Sequence, residues 1–208
     1  MLVTGCVGMG SNTAGGSSSS TTSPTTGDVL GEILGTVTDK ETLGNVLSRV
    51  IGADKLSKEQ LCGTWKYDGP GCAFTSENAL ARAGGEVVAT QIEKRLEAEY
   101  AKFGLKPGNT YITFNQDGTF KSKIGGRSWN GNYIYNPQTN ALTMRGLLLS
   151  LNGFVMRNGL GISVLFESQK LLSLIQTISA FSGNATLGSI SDISKNYDGV
   201  RLGFDMSK

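Results

Sequence analysis

The chain has 208 residues, a formal net charge of +2, 38% hydrophobic residues and no histidine. Because its lysines and arginines are scattered, we predict no basic face of the kind that captures nucleic acid. The lack of histidine excludes a Ser-His-Asp or Cys-His catalytic site within the chain and removes the commonest transition-metal ligand. Catalysis by carboxylates, lysine or tyrosine stays open, so composition weakens an enzyme assignment without excluding it.

A lipidation motif stands near the start of the chain, at Val3-Thr4-Gly5-Cys6. Small residues before the cysteine let a signal peptidase grip an extended backbone. Cys6 would then carry acyl chains that favour membrane attachment by about 0.8 kcal/mol per buried CH₂. Only Met1 and Leu2 precede the motif, so this prediction requires a translation start and a signal peptide further upstream. The alternative is a cytosolic chain in which four residues match a loose pattern by chance.

An uncharged segment rich in Gly, Ser and Thr follows, over residues 10–27. Its composition predicts a flexible coil spanning roughly 25 Å, which is typical of the tether of an envelope lipoprotein. We therefore divide the chain into a lipobox remnant with its tether (residues 1–27), N-terminal helices (28–55) and a barrel domain (56–208). The expected location is the cell envelope, anchored by lipid, on the periplasmic or surface face of the outer membrane.

Cys62 and Cys72 form an even pair once Cys6 is assigned to lipid, and an oxidising envelope permits a disulfide. Between them, Asp68-Gly69-Pro70-Gly71 predicts a tight turn that would bring the two cysteines together. Closing so short a loop would stabilise the fold by roughly 2.5–3 kcal/mol. The alternative is two free, buried thiols that behave as small apolar residues.

Helical patterns precede and interrupt the predicted strands. Within residues 28–55, Asp28 caps one amphipathic helix, and Thr38 with Glu41 forms the capping box of a second, which Gly52 ends. We expect both to pack on the barrel, and a partner-binding arm is the alternative. The longest pattern runs over residues 76–103, and Gly84-Gly85 within it indicates a kink or a very close approach of another backbone.

Short alternating runs predict the strands. The Asn115-Gln116-Asp117-Gly118 stretch is a hairpin turn, because glycine accepts a positive φ. A further helix covers residues 171–181, and the weak pattern over residues 185–194 fits either a strand or a short helix. The predicted strands are residues 63–67, 110–114, 119–124, 132–135, 141–144, 147–151, 154–157, 160–166 and 200–206.

These nine runs, joined mostly by short turns, predict a mostly β (α+β) fold with about eight strands. The expected architecture is an up-and-down antiparallel barrel whose first and last strands pair, since closure removes both exposed edges. It carries a long helix after the first strand, a helix before the last strand, and the N-terminal helices. At this strand number the interior is either filled by side chains or holds one small ligand.

Seven short motifs are spread over residues 56–208. They are Leu61-Cys62-Gly63-Thr64-Trp65-Lys66-Tyr67, Gly69-Pro70, Ala83-Gly84-Gly85, Phe114-Asn115-Gln116-Asp117-Gly118-Thr119-Phe120, Leu165-Phe166, Lys170-Leu171-Leu172 and Tyr197-Asp198-Gly199. In combination they resemble the lipocalin-like domain family of unknown function found in envelope lipoproteins of Bacteroidetes. The resemblance implies an exported barrel with helical additions and carries over no catalytic residues. The wider barrel superfamily commonly binds small hydrophobic molecules.

We interpret the chain as an exported, non-catalytic lipoprotein whose barrel binds a small hydrophobic ligand. The alternative is a structural or partner-binding envelope protein with a filled core. We expect Trp65 to plug one barrel end and Gly63 to allow close approach of the backbone. We expect no enzyme activity, cofactor, metal or nucleic-acid partner, and the sequence leaves a protein partner open. The candidate cavity residues are Tyr111, Phe120, Tyr133, Tyr135, Met144, Phe166 and Phe204.

Overall fold

Eight antiparallel strands close into a barrel in the computed structural model, which describes residues 49–147, 149–179 and 188–208. Each strand pairs with the next along the chain, and β8 pairs with β1, which confirms the predicted fold class. The strands are β1 (Gly63–Phe74), β2 (Tyr111–Phe114), β3 (Thr119–Ile124), β4 (Arg127–Asn136), β5 (Ala141–Gly146), β6 (Ser150–Asn158), β7 (Gly161–Phe166) and β8 (Val200–Ser207).

The two ends of the barrel have different connections. Helices lie in the β1–β2 and β7–β8 connections, so we call that end, where β1 finishes, the helical end. The opposite end, where β1 begins, has tight turns and residues 54–62, and we call it the turn end. No helix among the described residues is long and apolar enough to span a bilayer. The described helices are α1 (Lys58–Leu61), α2 (Glu77–Ala83), α3 (Gly85–Lys102), α4 (Ser168–Ser179) and α5 (Gly188–Asn196).

The hairpin of β2 and β3 matches its prediction best, because buried and exposed side chains alternate along β3. Along β3, Phe120, Ser122 and Ile124 are buried, while the two lysines between them are exposed. Gly118 has φ +83° in the turn before β3. The Asp117 carboxylate accepts a hydrogen bond from the Thr119 N–H at 2.8 Å, which fixes the start of the strand.

Strand β1 is longer than the sequence predicted, and the turn expected at Asp68-Gly69-Pro70-Gly71 is wrong. The strand passes through these residues with a bulge between Tyr67 and Gly69. Two local features explain why glycine and proline occur inside a strand here. A Cβ at Gly71 would lie 2.6 Å from Asp205 Oδ1 and 3.2 Å from the Phe204 carbonyl carbon, so a larger residue would displace the Asp205 carboxylate. Pro70 lies beyond Lys66, where β1 is no longer paired with β2, so its missing N–H breaks no ladder.

The predicted disulfide between Cys62 and Cys72 does not form, and both thiols are free. Cys62 directly precedes β1 and Cys72 lies near its far end. Nine or ten residues of extended chain separate their Cα atoms by roughly 30 Å, whereas a disulfide needs about 7 Å or less. Because β1 continues through residues 68–71 without a turn, the two cysteines lie near opposite ends of the strand.

A second apparent turn is also part of a strand. The two strands predicted around Asn152-Gly153 form the single strand β6. A Cβ at Gly153 would lie 2.3 Å from the Leu165 carbonyl oxygen and 2.7 Å from the Phe166 ring, so this glycine allows the close approach of β7 rather than a turn. Of the two alternatives at Gly84-Gly85, the kink is the one observed, because Gly84 has φ +111° and separates α2 from α3. The ambiguous stretch near residue 190 is helical, as α5.

Residues 1–48 lie outside the described residues, and with them Cys6, the tether and most of the predicted N-terminal helices. Val50 and Ile51, predicted on the last turn of the second helix, instead lie in a turn that forms a parallel bridge with Phe74. The Phe74 N–H donates to the Arg49 carbonyl at 2.7 Å, and the Ile51 N–H donates to the Phe74 carbonyl at 2.9 Å. Backbone pairing with the free edge of β1 therefore replaces the helix.

Candidate functional site

The barrel interior is the site that the sequence singled out, and six of its seven predicted side chains point inward. Met144 and Phe204 are 0% exposed, and Phe120 and Phe166 are 1% exposed. Tyr133 and Tyr135 are also buried. A void that could hold a water molecule would leave accessible surface on the side chains around it. The interior next to these residues is therefore filled by neighbouring side chains.

The prediction that Tyr111 lines the interior is wrong, because its side chain is 37% exposed on the outer face of β2. Its neighbour Ile112 points inward, opposite Trp65 of β1. Successive side chains of a strand point to opposite faces, so a one-residue error in the assumed register reverses the assignment.

Three aromatic rings join helix α3 to the interior face of β1 and β8. The Tyr100 ring centroid lies 6.5 Å from that of Tyr67 and 5.7 Å from that of Phe204. The Tyr100 hydroxyl donates a hydrogen bond to the Gly203 carbonyl at 2.9 Å. Burial raises the pKa of both tyrosines, so both stay neutral. Residues of α3 thus complete the core, and the sequence did not identify Tyr67 or Tyr100 as interior groups.

At the turn end, side chains from the barrel bind the backbone of residues 54–62. The Trp65 indole Nε1–H donates to the Leu61 carbonyl at 2.7 Å. The Tyr135 hydroxyl donates to the Leu56 carbonyl at 2.8 Å, and burial raises the pKa of Tyr135 to about 12. The Asn140 amide Nδ2–H donates to the Asp54 carbonyl at 2.8 Å. These bonds hold the segment across the turn end as a cover.

The residues around Trp65 tie the end of the chain to this cover. Lys208 Nζ lies 4.7 Å from the centre of the Trp65 ring and donates to the Cys62 carbonyl at 3.2 Å. Gly63 has φ +127°, a backbone conformation that favours glycine. The Cys62 thiol lies 3.7 Å from the Tyr133 hydroxyl, and that hydroxyl also donates to the Asn115 carbonyl at 2.8 Å.

At the helical end, Arg49 joins the segment before the barrel to α3 and β1. Its guanidinium donates to Glu86 at 3.0 Å, to Glu93, and to the Cys72 carbonyl at 3.3 Å. Burial opposes the charged form of Arg49, but the two carboxylates outweigh it and raise its pKa. Cys72 is 3% exposed, and burial raises the pKa of its thiol. Its thiol is therefore protonated and inert, so Cys72 serves packing.

The outer face of β8 carries a carboxylate that the sequence did not identify. Asp205 accepts hydrogen bonds from the Ser163 hydroxyl at 2.5 Å and from Asn158 Nδ2 at 2.7 Å. Burial raises the pKa of Asp205 from 3.8 to about 7, with a smaller contribution from Glu93. Ser163 and Asn158 come from β7 and β6, so pairing across three strands assembles this group.

Two clefts adjoin each other on the surface of the helical end. The first, of about 340 Å³, is lined by Glu167, Ser168, Gln169 and residues 197–201. The second, of about 350 Å³, is lined by Arg82, by Ala79 and Ala83, and by residues 196–198. Tyr197 and Asp198 belong to both clefts and to a motif of the family resemblance. The sequence did not predict the clefts, because α2, α4, α5 and β8 meet only in the folded chain.

The first cleft contains two buried polar atoms that lack hydrogen-bond partners, Ser168 Oγ and Arg201 Nε. Ser168 is 2% exposed. Arg201 Nη1 donates a hydrogen bond to the Val200 carbonyl at 3.0 Å. Its Nη2 lies 3.7 Å from Glu167 Oε1. Within residues 49–147, 149–179 and 188–208 no group of three or more potential metal ligands occurs.

The comparisons with known proteins agree with this architecture. No curated protein and no solved structure matches the chain. A family model described as "Lipocalin-like domain (DUF4923)" matches residues 34–208, which include every described strand. The chain therefore belongs to this lipocalin-like domain family.

Proposed function

We propose that this chain is a non-catalytic protein of the cell envelope that works through the outside of a filled barrel. The observation that carries the proposal is the burial of the predicted cavity side chains, from 0% exposed at Met144 to 7% at Tyr135. A barrel with its core already filled leaves the outer surfaces and the ends to make contacts. This favours the structural or partner-binding alternative over a hydrophobic ligand inside the barrel.

The non-catalytic part rests on the chemistry of the buried groups. The chain has no histidine. The hydroxyls of Tyr100 and Tyr135 are bonded to backbone carbonyls, and their pKa values are raised by burial. A hydroxyl held neutral in this way is poorly placed to exchange a proton with a substrate.

The envelope part rests on the Cys6 motif and on the Gly/Ser/Thr segment that follows it. We expect Cys6→Ala, made in the gene with its natural upstream sequence, to release the protein from membranes. Cys62→Ala is the matched control and should leave it membrane-bound. Sedimentation of the Cys6→Ala protein with membranes would contradict the lipid anchor.

A fluorescent apolar probe, 1-anilinonaphthalene-8-sulfonate, tests the filled core. The wild-type chain should show no saturable binding, because no space is preformed around Phe166. Phe166→Ala should open a cavity that is too small for this probe but binds benzene, and Met144→Ala serves as a second cavity variant if the first does not fold. Saturable binding of one probe per wild-type chain would overturn the proposal.

One observation favours a ligand inside the barrel as a second candidate. The Trp129 Nε1–H is buried, points inward and has no hydrogen-bond partner. Its indole packs against Gly146, where a Cβ would lie 2.1 Å from Nε1. An acceptor on a bound ligand would satisfy this donor. In Trp65→Phe, Trp129 is the only tryptophan, so a shift of its emission on adding envelope lipid extract would support this candidate.

A further inference from the structure

The first cleft at the helical end is lined by two residues whose buried polar atoms can donate hydrogen bonds but have no partner. Ser168 Oγ and Arg201 Nε are buried without partners, and both residues line the cleft. A buried polar group without a partner costs roughly 1–3 kcal/mol, so two of them in one cleft call for an explanation. A bound acceptor group would supply it.

Helix α4 adds to these donors. Its first residue is Ser168, and the Leu171 N–H makes an early backbone bond to the Glu167 carbonyl at 2.9 Å. The N–H groups before Leu171 have no partner within the helix, and the helix dipole adds partial positive charge at this point. The end of a helix, a guanidinium and a buried hydroxyl together match a carboxylate, whose two oxygens accept several hydrogen bonds.

The rim of the same cleft is acidic. The Glu167 side chain is 61% exposed and the Asp198 side chain is 95% exposed. Their present partners are distant, with Glu167 3.7 Å from Arg201 and Asp198 3.7 Å from Arg82. Exposed pairs at this separation are weak and easily exchanged. A purely anionic ligand would be repelled by this rim, whereas a ligand that also carries a cationic group would be attracted to it.

We propose that this cleft binds a small zwitterion, with the chemistry of a free amino acid or a short peptide. Ser168, Arg201 and the first turn of α4 hold its carboxylate, and Glu167 and Asp198 hold its ammonium group. The volume of about 340 Å³ fits a molecule of this size. The site lies outside the barrel core. A failure to bind zwitterions would therefore not contradict the filled core, and a ligand inside the barrel would not contradict this site.

The test is to titrate small ligands into the full chain. Binding is measured by calorimetry and by the shifts of the Ser168 and Gly199 amide NMR signals. Glycine and 4-aminobutyrate represent free amino acids, dialanine represents a short peptide, and acetate and ethylamine represent the separate halves. At least one zwitterion should bind about tenfold more tightly than either half. If the amino acids bind more tightly than dialanine, the ligand is a free amino acid. If dialanine binds more tightly, the ligand is a short peptide. Equal binding of acetate, or no movement of the Gly199 signal with any zwitterion, would overturn the proposal.

Ser168→Ala separates a binding role from a structural one. It removes an unpaired buried hydroxyl, so thermal stability should stay the same or rise, while zwitterion affinity falls about tenfold. Arg201→Gln should weaken binding further, because it removes the positive charge and the paired N–H groups that can bind both carboxylate oxygens. Ser128→Ala, on an exposed position of β4, is the matched control and should change neither property. Unchanged affinity in Ser168→Ala would contradict the proposed site.

Discussion

The two ends of the barrel satisfy their buried polar groups to very different degrees. At the turn end, the Trp65 indole and the Tyr135 hydroxyl donate to backbone carbonyls of residues 54–62. At the helical end, buried side-chain atoms of Glu86, Trp129, Ser168 and Arg201 lack hydrogen-bond partners. Both clefts lie at this end as well.

This difference separates a structural end from a candidate binding end. Hydrogen bonds that pair every buried donor stabilise a fold, whereas unpaired donors destabilise it and persist where another requirement keeps them. The turn end is therefore interpreted as a permanent cover, and the helical end as the place where a ligand or partner is received. Variants at matched positions can break or sharpen this comparison.

The largest effect is expected in the interior that both ends enclose. Phe204→Ala should lower the free energy of unfolding by about 3–5 kcal/mol, because its ring contacts Tyr67 and Tyr100 in a filled core. Urea denaturation measures the change. Tyr111→Ala, on the outer face, is the control and should cost less than about 1 kcal/mol. Similar losses in the two variants would mean that the core near Phe204 is not tightly packed.

The next effect concerns the ion pairs of Arg49 with Glu86 and Glu93 at the helical end. Arg49→Met should lower the free energy of unfolding by about 2–3 kcal/mol, because Glu93, 17% exposed, loses its partner. Arg82→Met removes an exposed pair and should change stability by less than about 0.5 kcal/mol. Urea denaturation measures the change in both variants. Equal changes would show that the ion pairs of Arg49 do not stabilise the contact between its segment and α3.

The two tryptophans compare the ends directly. Trp65→Phe leaves the Leu61 carbonyl without its donor, whereas Trp129→Phe removes an Nε1–H that has no partner. Both changes delete the same volume. Trp65→Phe should therefore cost about 1–2 kcal/mol more than Trp129→Phe in thermal or urea unfolding. Equal costs would show that the hydrogen bond to residues 54–62 does not stabilise the turn end.

The smallest effect depends on pH and comes from Asp205. Its pKa is about 7 in the folded chain and near 3.8 when unfolded, so between these values only the folded state keeps the proton. The free energy of unfolding therefore falls as pH rises across this window. Asp205→Asn removes the dependence, so wild type should lose about 1 kcal/mol or more relative to the variant from pH 4 to pH 7. If the free energy of unfolding changed with pH in the same way in wild type and Asp205→Asn, the pKa of Asp205 would not be raised by burial.

Sequence patterns predicted the barrel well where one face of a strand is apolar. Strand β3 matches its prediction because Phe120 and Ile124 alternate with exposed lysines, next to an Asp-Gly turn. Predictions failed where glycine serves packing. Gly71 and Gly153 each allow the close approach of atoms of a neighbouring strand, so two continuous strands resembled strands interrupted by turns. The false disulfide between Cys62 and Cys72 followed from the first of these errors.

The candidate sites were harder to predict than the fold. Tyr111 differs from inward residues only by its place in the alternation, and one residue decides which face it occupies. Ser168 and Arg201 are far apart in the sequence and meet only because β7 and β8 pair beneath α4. No spacing rule connects them. A short motif at Tyr197-Asp198-Gly199 marked the region without indicating its chemistry.

Native mass spectrometry of the full chain purified from the cells that naturally produce it tests the filled core most directly. The mass should be the same before and after extraction with an organic solvent, because the side chains around Met144, Phe166 and Phe204 occupy the interior. A noncovalent adduct that survives aqueous dialysis, and is lost both on extraction and in Phe166→Trp, would contradict it. The barrel would then carry a hydrophobic ligand.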